Sequence, residues 1–119
     1  MDTLFAAAAL DAGLKLAEPD LSIPLLRTLI AVFLKADMSI NDLAEAIGAP
    51  QQSASRYVAI LQGRYQTSEG ATSFTKAPLL MHKPSPNDSR RYELALTVHG
   101  QDRLNKILIQ IHSKETLHG

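Results

Sequence analysis

The chain has 119 residues, 45% apolar and 20% charged, with no net charge and no cysteine. Such a length suits one folded domain, and the composition is that of an ordinary globular protein, which excludes collagen-like and disordered classes. No apolar run approaches the roughly 20 residues of a membrane helix, the lack of cysteine excludes disulfides and thiolate metal sites, and an acid where a secretory leader carries a base predicts a cytoplasmic protein.

Residues 1–20 include DTLFAAAALDAGLKLAE, a stretch rich in alanine and leucine that predicts a helix, weakened at Gly13 and ended by Pro19. The segment 22–62 holds three more helices. Ser22 is placed to cap the first, Pro24 is tolerated in its opening turn, and Leu25, Leu26, Leu29, Ile30, Val32 and Phe33 supply a broad apolar face. In MSINDLAEAIGAPQQSASRYVAILQ, Ser39 and Asp42 have capping-box spacing, and Leu43, Ala44 and Ile47 form the inward stripe of a short helix. Gly48 suits the left-handed residue that stops it. After Pro50, Ala54, Val58 and Leu61 recur at helical spacing, leaving Gln51, Gln52, Ser53, Ser55 and Arg56 as a polar set at and near the N-terminal end.

Residues 63–78, GRYQTSEGATSFTKAP, have no clear period and predict a long loop. A hairpin is expected over 79–97: a short apolar strand, a proline-rich turn at PSPND, and a returning strand in which Tyr92, Leu94 and Leu96 face inward and alternate with Glu93 and Ala95. A last helix over 98–117 carries Leu104, Ile107, Leu108 and Ile111 on one face, with Ile109 off it as a second contact surface. The fold class is therefore mostly α with a small β-hairpin, a single winged helix-turn-helix domain.

Charge is unevenly spread along this plan. Residues 1–50 carry three bases against seven acids, a balance of −4, and residues 51–119 carry nine bases against five acids, a balance of +4. Local distribution, not net charge, sets what a face attracts across a Debye length of about 10 Å. The second helix of a helix-turn-helix offers its N-terminal side chains to the DNA major groove, where glutamine suits adenine and arginine suits guanine. The hairpin tip then lies over the neighbouring backbone or minor groove, where potential is most negative. That gives Arg90 and Arg91 a partner and Lys83 a phosphate within reach. Asp88, two residues before Arg90, either orients that guanidinium or ties down the turn.

Asp88-Ser89-Arg90, Leu94, Leu96-Thr97 and Gly100 together read D-x-R-x3-L-x-L-T-x2-G, which resembles the wing signature of the MarR family of bacterial regulators. INDLAEAIGAPQQSASRYVAIL is similar to that family's helix-turn-helix, with Ser55-Arg56 matching its common Ser-Arg pair; the two motifs span roughly residues 38–103. The resemblance implies a homodimeric winged-helix protein that binds a palindromic double-stranded operator, usually as a repressor, with Arg90 as the wing-tip arginine. The terminal helices would build the dimer and any pocket for a small-molecule effector. Three features depart from the family pattern: the sixteen residues 63–78 ahead of the wing, closer to the small prophage-type members; Pro50 where a serine cap is frequent; and the short chain.

The expected function is sequence-specific duplex binding in transcriptional regulation, with DNA contacts from Gln51, Gln52, Ser53, Ser55, Arg56, Lys83, Asp88, Arg90 and Arg91. Arg64, Lys76, Arg103 and Lys106 are secondary candidates for phosphates, and Tyr57, Tyr65 and Phe74 could stack on bases, although packing within the fold is the favoured reading for them. His82, His99, His112 and His118 lack the i, i+4 pairing with carboxylates of a helical zinc site, so no metal or other cofactor is expected. No nucleophile, base and orienting group can be recognised together, which predicts a non-enzyme without a membrane role. The competing expectation is a winged-helix module that binds protein in a phage or replication assembly, since one fold hosts many roles.

Overall fold

In the computed structural model the described residues are 2–18, 20–66, 72–74, 77–88 and 90–118; for 64–66, 72–74 and 111–118 the description is of the backbone. Asp2 opens helix α1 (Thr3–Ala17) by accepting the Phe5 amide at 2.8 Å. The buried residues Phe5, Ala9, Gly13 and Ala17 recur every four positions, so α1 presents a narrow stripe of mostly small side chains. That stripe lies along the final helix, α5 (Val98–His118). Contact is close because a Cβ on Gly13 would meet the Ile107 side chain and carbonyl at 3.3 Å.

Helix α2 (Ile23–Leu34) is the central post, with Leu25, Leu26, Thr28, Leu29 and Val32 buried. Thr28 is fully buried, and its hydroxyl donates to the Pro24 carbonyl at 2.8 Å, so no polar group is stranded there. Leu29, Leu43 and Leu104 reach 0% exposure. Burying each such side chain contributes about 1.5–3 kcal/mol. Two expectations for α2 are corrected. Phe33 is 47% exposed, off the inward face, and Ser22 occupies the N-cap without a side-chain bond.

Helices α3 (Ile40–Ile47) and α4 (Gln51–Leu61) form the helix-turn-helix. The Ser39 hydroxyl accepts the Asp42 amide at 3.1 Å and the Asp42 carboxylate accepts the Ser39 amide at 3.0 Å, closing a complete capping box. Gly48 takes the left-handed conformation at φ 67 and turns the chain toward α4.

Strands β1 (Arg64–Gln66) and β2 (Thr72–Phe74) pair antiparallel, so the stretch expected as one loop contains a short hairpin of its own. Strands as short as these leave little hydrophobic alternation to read. The main hairpin joins β3 (Leu80–Pro84) to β4 (Tyr92–Leu96) in the register Leu80↔Leu96 to Pro84↔Tyr92. A bridge between Met38 and Leu94, with the Leu94 amide donating to the Met38 carbonyl at 2.8 Å, ties β4 to the chain just before α3.

The alternation expected in β4 is also corrected. Tyr92 is 61% exposed and Glu93 only 4%. Glu93 faces Lys83 across the hairpin at 3.3 Å and lies by Val32, Phe33 and Ala36 at the end of α2, so a carboxylate occupies a wall the pattern assigned to solvent. Pro19, Lys76 and the side chains of Arg64, Tyr65, Phe74, Ile111, His112 and His118 lie outside the described residues.

Candidate nucleic-acid interface

Helix α4 separates its faces cleanly. Ala54, Val58 and Leu61 are 3% exposed or less, while Gln51, Gln52 and Arg56 are exposed and Ser53 and Ser55 half-buried. Pro50 is the N-cap and offers no side-chain acceptor, so the opening amides of α4 receive no cap bond. An anion is favoured at such an end by the unsatisfied amides and the helix dipole. The Arg56 guanidinium sits 5.7 Å from the Tyr57 ring centroid, a cation–π distance that restrains it beside the helix; Tyr57 itself packs against the core.

The wing is anchored to α4 at its root. The Leu79 amide donates to the Leu61 carbonyl at 2.8 Å, and Gln62 Nε2 lies 2.9 Å from His82 Nδ1. At the tip, the Ser85 amide donates to the Arg91 carbonyl at 2.8 Å and closes the loop. Asp88 accepts the Arg90 amide at 3.0 Å and lies 3.6 Å from Arg90 Nε, so it both ties down the turn and lies beside the guanidinium. The Arg90 side chain is 92% exposed.

The cations expected on the interface have different fates. Arg91 turns back into the molecule, donating to the Asp37 carbonyl at 3.1 Å, the Asp42 carboxylate at 3.2 Å and the Asp37 carboxylate at 3.4 Å. Lys83 pairs with Glu93, and Lys106 with Asp102 at 3.1 Å. Arg103 holds Asp20 and the end of α1. The acids that hold Lys83 and Arg91 are buried or half-buried, whereas Asp20 and Asp102 stay largely exposed, and of these pairs Asp102 and Lys106 alone stand at the i, i+4 spacing that a sequence shows.

Asp37 is the residue that sequence reasoning missed. It accepts Ser85 Oγ at 2.8 Å and Asn87 Nδ2 at 2.9 Å besides Arg91, and its φ of 59 lies in the left-handed region. Hydrogen bonds from Asn87 and then Ser85, with the Arg91 charge and Glu93 adding to them, hold its pKa below 3.8 against the opposing effect of burial. Asp42 is lowered likewise, first by the Ser39 backbone and side chain, then by Lys35 and Arg91. Both carboxylates therefore stay charged at neutral pH and keep Arg91 engaged. The available signal was two acids flanking Ser39 together with one arginine more than a wing tip needs.

Among solved structures, RV1404 from Mycobacterium tuberculosis is similar at TM-score 0.71 and 21% identity, over 96% of this chain and 68% of that one. S. aureus MepR bound to ethidium bromide matches at TM-score 0.69 and 15% identity, over 97% of this chain and 74% of that one. MepR in a complex with DNA matches at 0.62 and 16%, over 97% and 79%. The MarR family transcription regulator SP03579 matches at 0.57 and 19%, over 94% and 61%. The chain has the MarR-type winged-helix fold. No protein-family model matches the sequence, and no curated protein matches it significantly.

Within the MarR-type fold the closing L-T-x2-G of the wing signature has a physical basis here. Thr97 accepts the Gly100 amide at 2.9 Å, capping α5, while its hydroxyl donates to the Pro78 carbonyl. A Cβ on Gly100 would lie 2.0 Å from the Leu79 carbonyl oxygen, so the helix meets the wing root only if that position is glycine. Among the described residues, no helix is long and apolar enough to cross a membrane, and no three acidic or histidine side chains are grouped to hold a metal.

Proposed function

We propose that the protein is a homodimeric regulator of transcription that binds duplex DNA sequence-specifically in the cytoplasm, acts as a repressor and catalyses no reaction. The carrying observation is that the polar edge of α4 and the exposed Arg90 belong to one bonded body, joined at the wing root through Leu61 and Leu79 and at the tip through Arg91 and Asp42. Gln51, Gln52, Ser53, Ser55 and Arg56 would read bases and phosphates in the major groove, and Arg90 the adjoining minor groove or backbone, steadied by Asp88. Arg91 and Lys83 contribute through the shape of the wing, since both are engaged within the fold.

The MepR–DNA complex supports this reading by likeness of fold. The dimer is supported by apolar side chains exposed on the terminal helices, Leu4 at 85%, Leu10 at 57% and Ile109 at 52%. A two-fold dimer places its recognition helices on half-sites about 34 Å apart, which makes the operator palindromic.

Selection of bound duplexes from a random pool tests the proposal. Enrichment of a palindrome with half-sites one helical turn apart is the expected result; a pool that shows no enrichment at low salt overturns it. On the recovered duplex, Arg56→Ala and Arg90→Ala each should cost about 1–3 kcal/mol or reduce the salt slope by about one.

A further inference from the structure

We infer that Asp37 is a positioning residue for Arg90, an inference that rests on the DNA-binding reading for its consequence but not for its geometry. The hairpin tip has bonds of its own, from the Ser85 amide to the Arg91 carbonyl and from the Arg90 amide to Asp88, and a further set ties it to a residue outside the hairpin. Ser85 and Asn87 bond Asp37 from one side of the turn, and Arg91 bonds it from the other. Arg90 lies between these anchors, its backbone amide fixed by Asp88 and its side chain directed outward. The tip is therefore clamped to the segment that leads into α3, and Arg91 carries the clamp on to Asp42, whose carboxylate also caps α3.

Two observations set this apart from an incidental surface contact. Asp37 adopts φ 59, where glycine is the strain-free occupant, and a non-glycine residue is retained there with its whole side chain engaged by the wing. The side chain of Asp37 is also only 23% exposed, and its carboxylate is held in the charged form by the same donors. A residue before the helix-turn-helix thus dictates where the wing arginine points, and the base pair steps Arg90 reaches relative to α4 follow from it. Arg91 serves as the strut of this clamp and not as a second phosphate ligand.

The test uses Asp37→Gly, which removes the carboxylate and relieves the left-handed backbone, and Asp37→Asn, which keeps the shape without the charge. Backbone 15N relaxation of the free protein is read at Asn87, Asp88, Arg90 and Arg91, with Leu80 and Leu94 as internal references. In Asp37→Gly the tip order parameters should fall from about 0.85 to below about 0.6 while the references hold, and Asp37→Asn should lie between. A tip that stays as ordered as in the unaltered protein overturns the inference, whatever the protein binds.

The second arm uses the duplex recovered from the random pool. Asp37→Gly should weaken binding by the same factor as Arg90→Ala, and the double variant should be no weaker than either, because both changes remove one contact. Additive losses would show that Asp37 and Arg90 act separately and would overturn it. Failure to recover any duplex refutes the proposed function and leaves the relaxation result to decide the clamp.

Discussion

Arg103 on α5 closes over Asp20 just beyond α1, its two terminal nitrogens meeting the two carboxylate oxygens at 2.8 and 3.0 Å. The same guanidinium donates to the carbonyls of Leu16 and Ala17 at 3.0 Å, so one side chain caps the end of α1 and fastens it to the last helix. A planar fork with several donors suits that geometry, and a lysine does not reproduce it. Arg103→Ala should lower unfolding free energy by about 1–2 kcal/mol in a urea titration, and Arg103→Lys should recover less than half of the loss.

This pair has a definite pH signature. The hydrogen bond from Arg103 is the largest influence on Asp20 and, aided by the Asp20 backbone and the Arg103 charge, holds its pKa below 3.8 against partial burial; the pairing raises Arg103 in turn. A carboxyl whose folded pKa is depressed stabilises the fold above its unfolded value, and the contribution disappears as pH falls through the folded value. The stability gap between the unaltered protein and Asp20→Asn should be constant near neutrality and shrink below about pH 4. Thermal melts from pH 7 to pH 2.5 measure it, and a gap that widens on acidification contradicts the assignment.

Gly100 and Gly48 should answer differently to alanine. At Gly100 the added carbon falls 2.0 Å from backbone that cannot yield, so Gly100→Ala should cost about 3 kcal/mol or displace the wing from α5. At Gly48 nothing lies within 4 Å, and the cost reduces to backbone strain at φ 67, about 1 kcal/mol. Paired denaturation curves on the two variants check the ordering.

Ser39→Ala removes one half of the capping box and loosens the carboxylate that also meets Arg91. A loss of about 1 kcal/mol is expected in chemical denaturation. Amide exchange should rise in the first turn of α3 and not in α4, because α4 has no side-chain cap to lose.

Lys83 separates a structural base from a phosphate ligand. Glu93 is buried, its side chain 6% exposed, with Lys83 across the hairpin. Lys83→Met should therefore lower stability by about 1–2 kcal/mol. The salt dependence of duplex binding should remain unchanged, and a slope reduced by about one would return Lys83 to the interface.

The elements that local chemistry dictates were legible residue by residue. The Ser39 and Asp42 box, the left-handed Gly48, the uncapped start of α4 at Pro50 and the inward triad of Ala54, Val58 and Leu61 all follow from neighbours within four positions, where spacing alone decides contact. The wing motif was legible for a related reason, since Thr97 and Gly100 satisfy a helix start and a close approach over three residues. By itself, then, the sequence determined the helix-turn-helix, the wing and the outward polar edge of α4.

Only the tertiary structure decided which charges remain free. Asp37 meets Arg91, Asp20 meets Arg103, and Glu93 is buried beneath the end of α2, although each pair or contact joins residues that no local period relates. Charged groups pair where packing brings them together and lowers their access to water, and that depends on how helices and hairpin are assembled. Adjacent in sequence and alike in chemistry, Arg90 and Arg91 differ in their surroundings, since carboxylates far from both along the chain hold Arg91 while Arg90 remains 92% exposed.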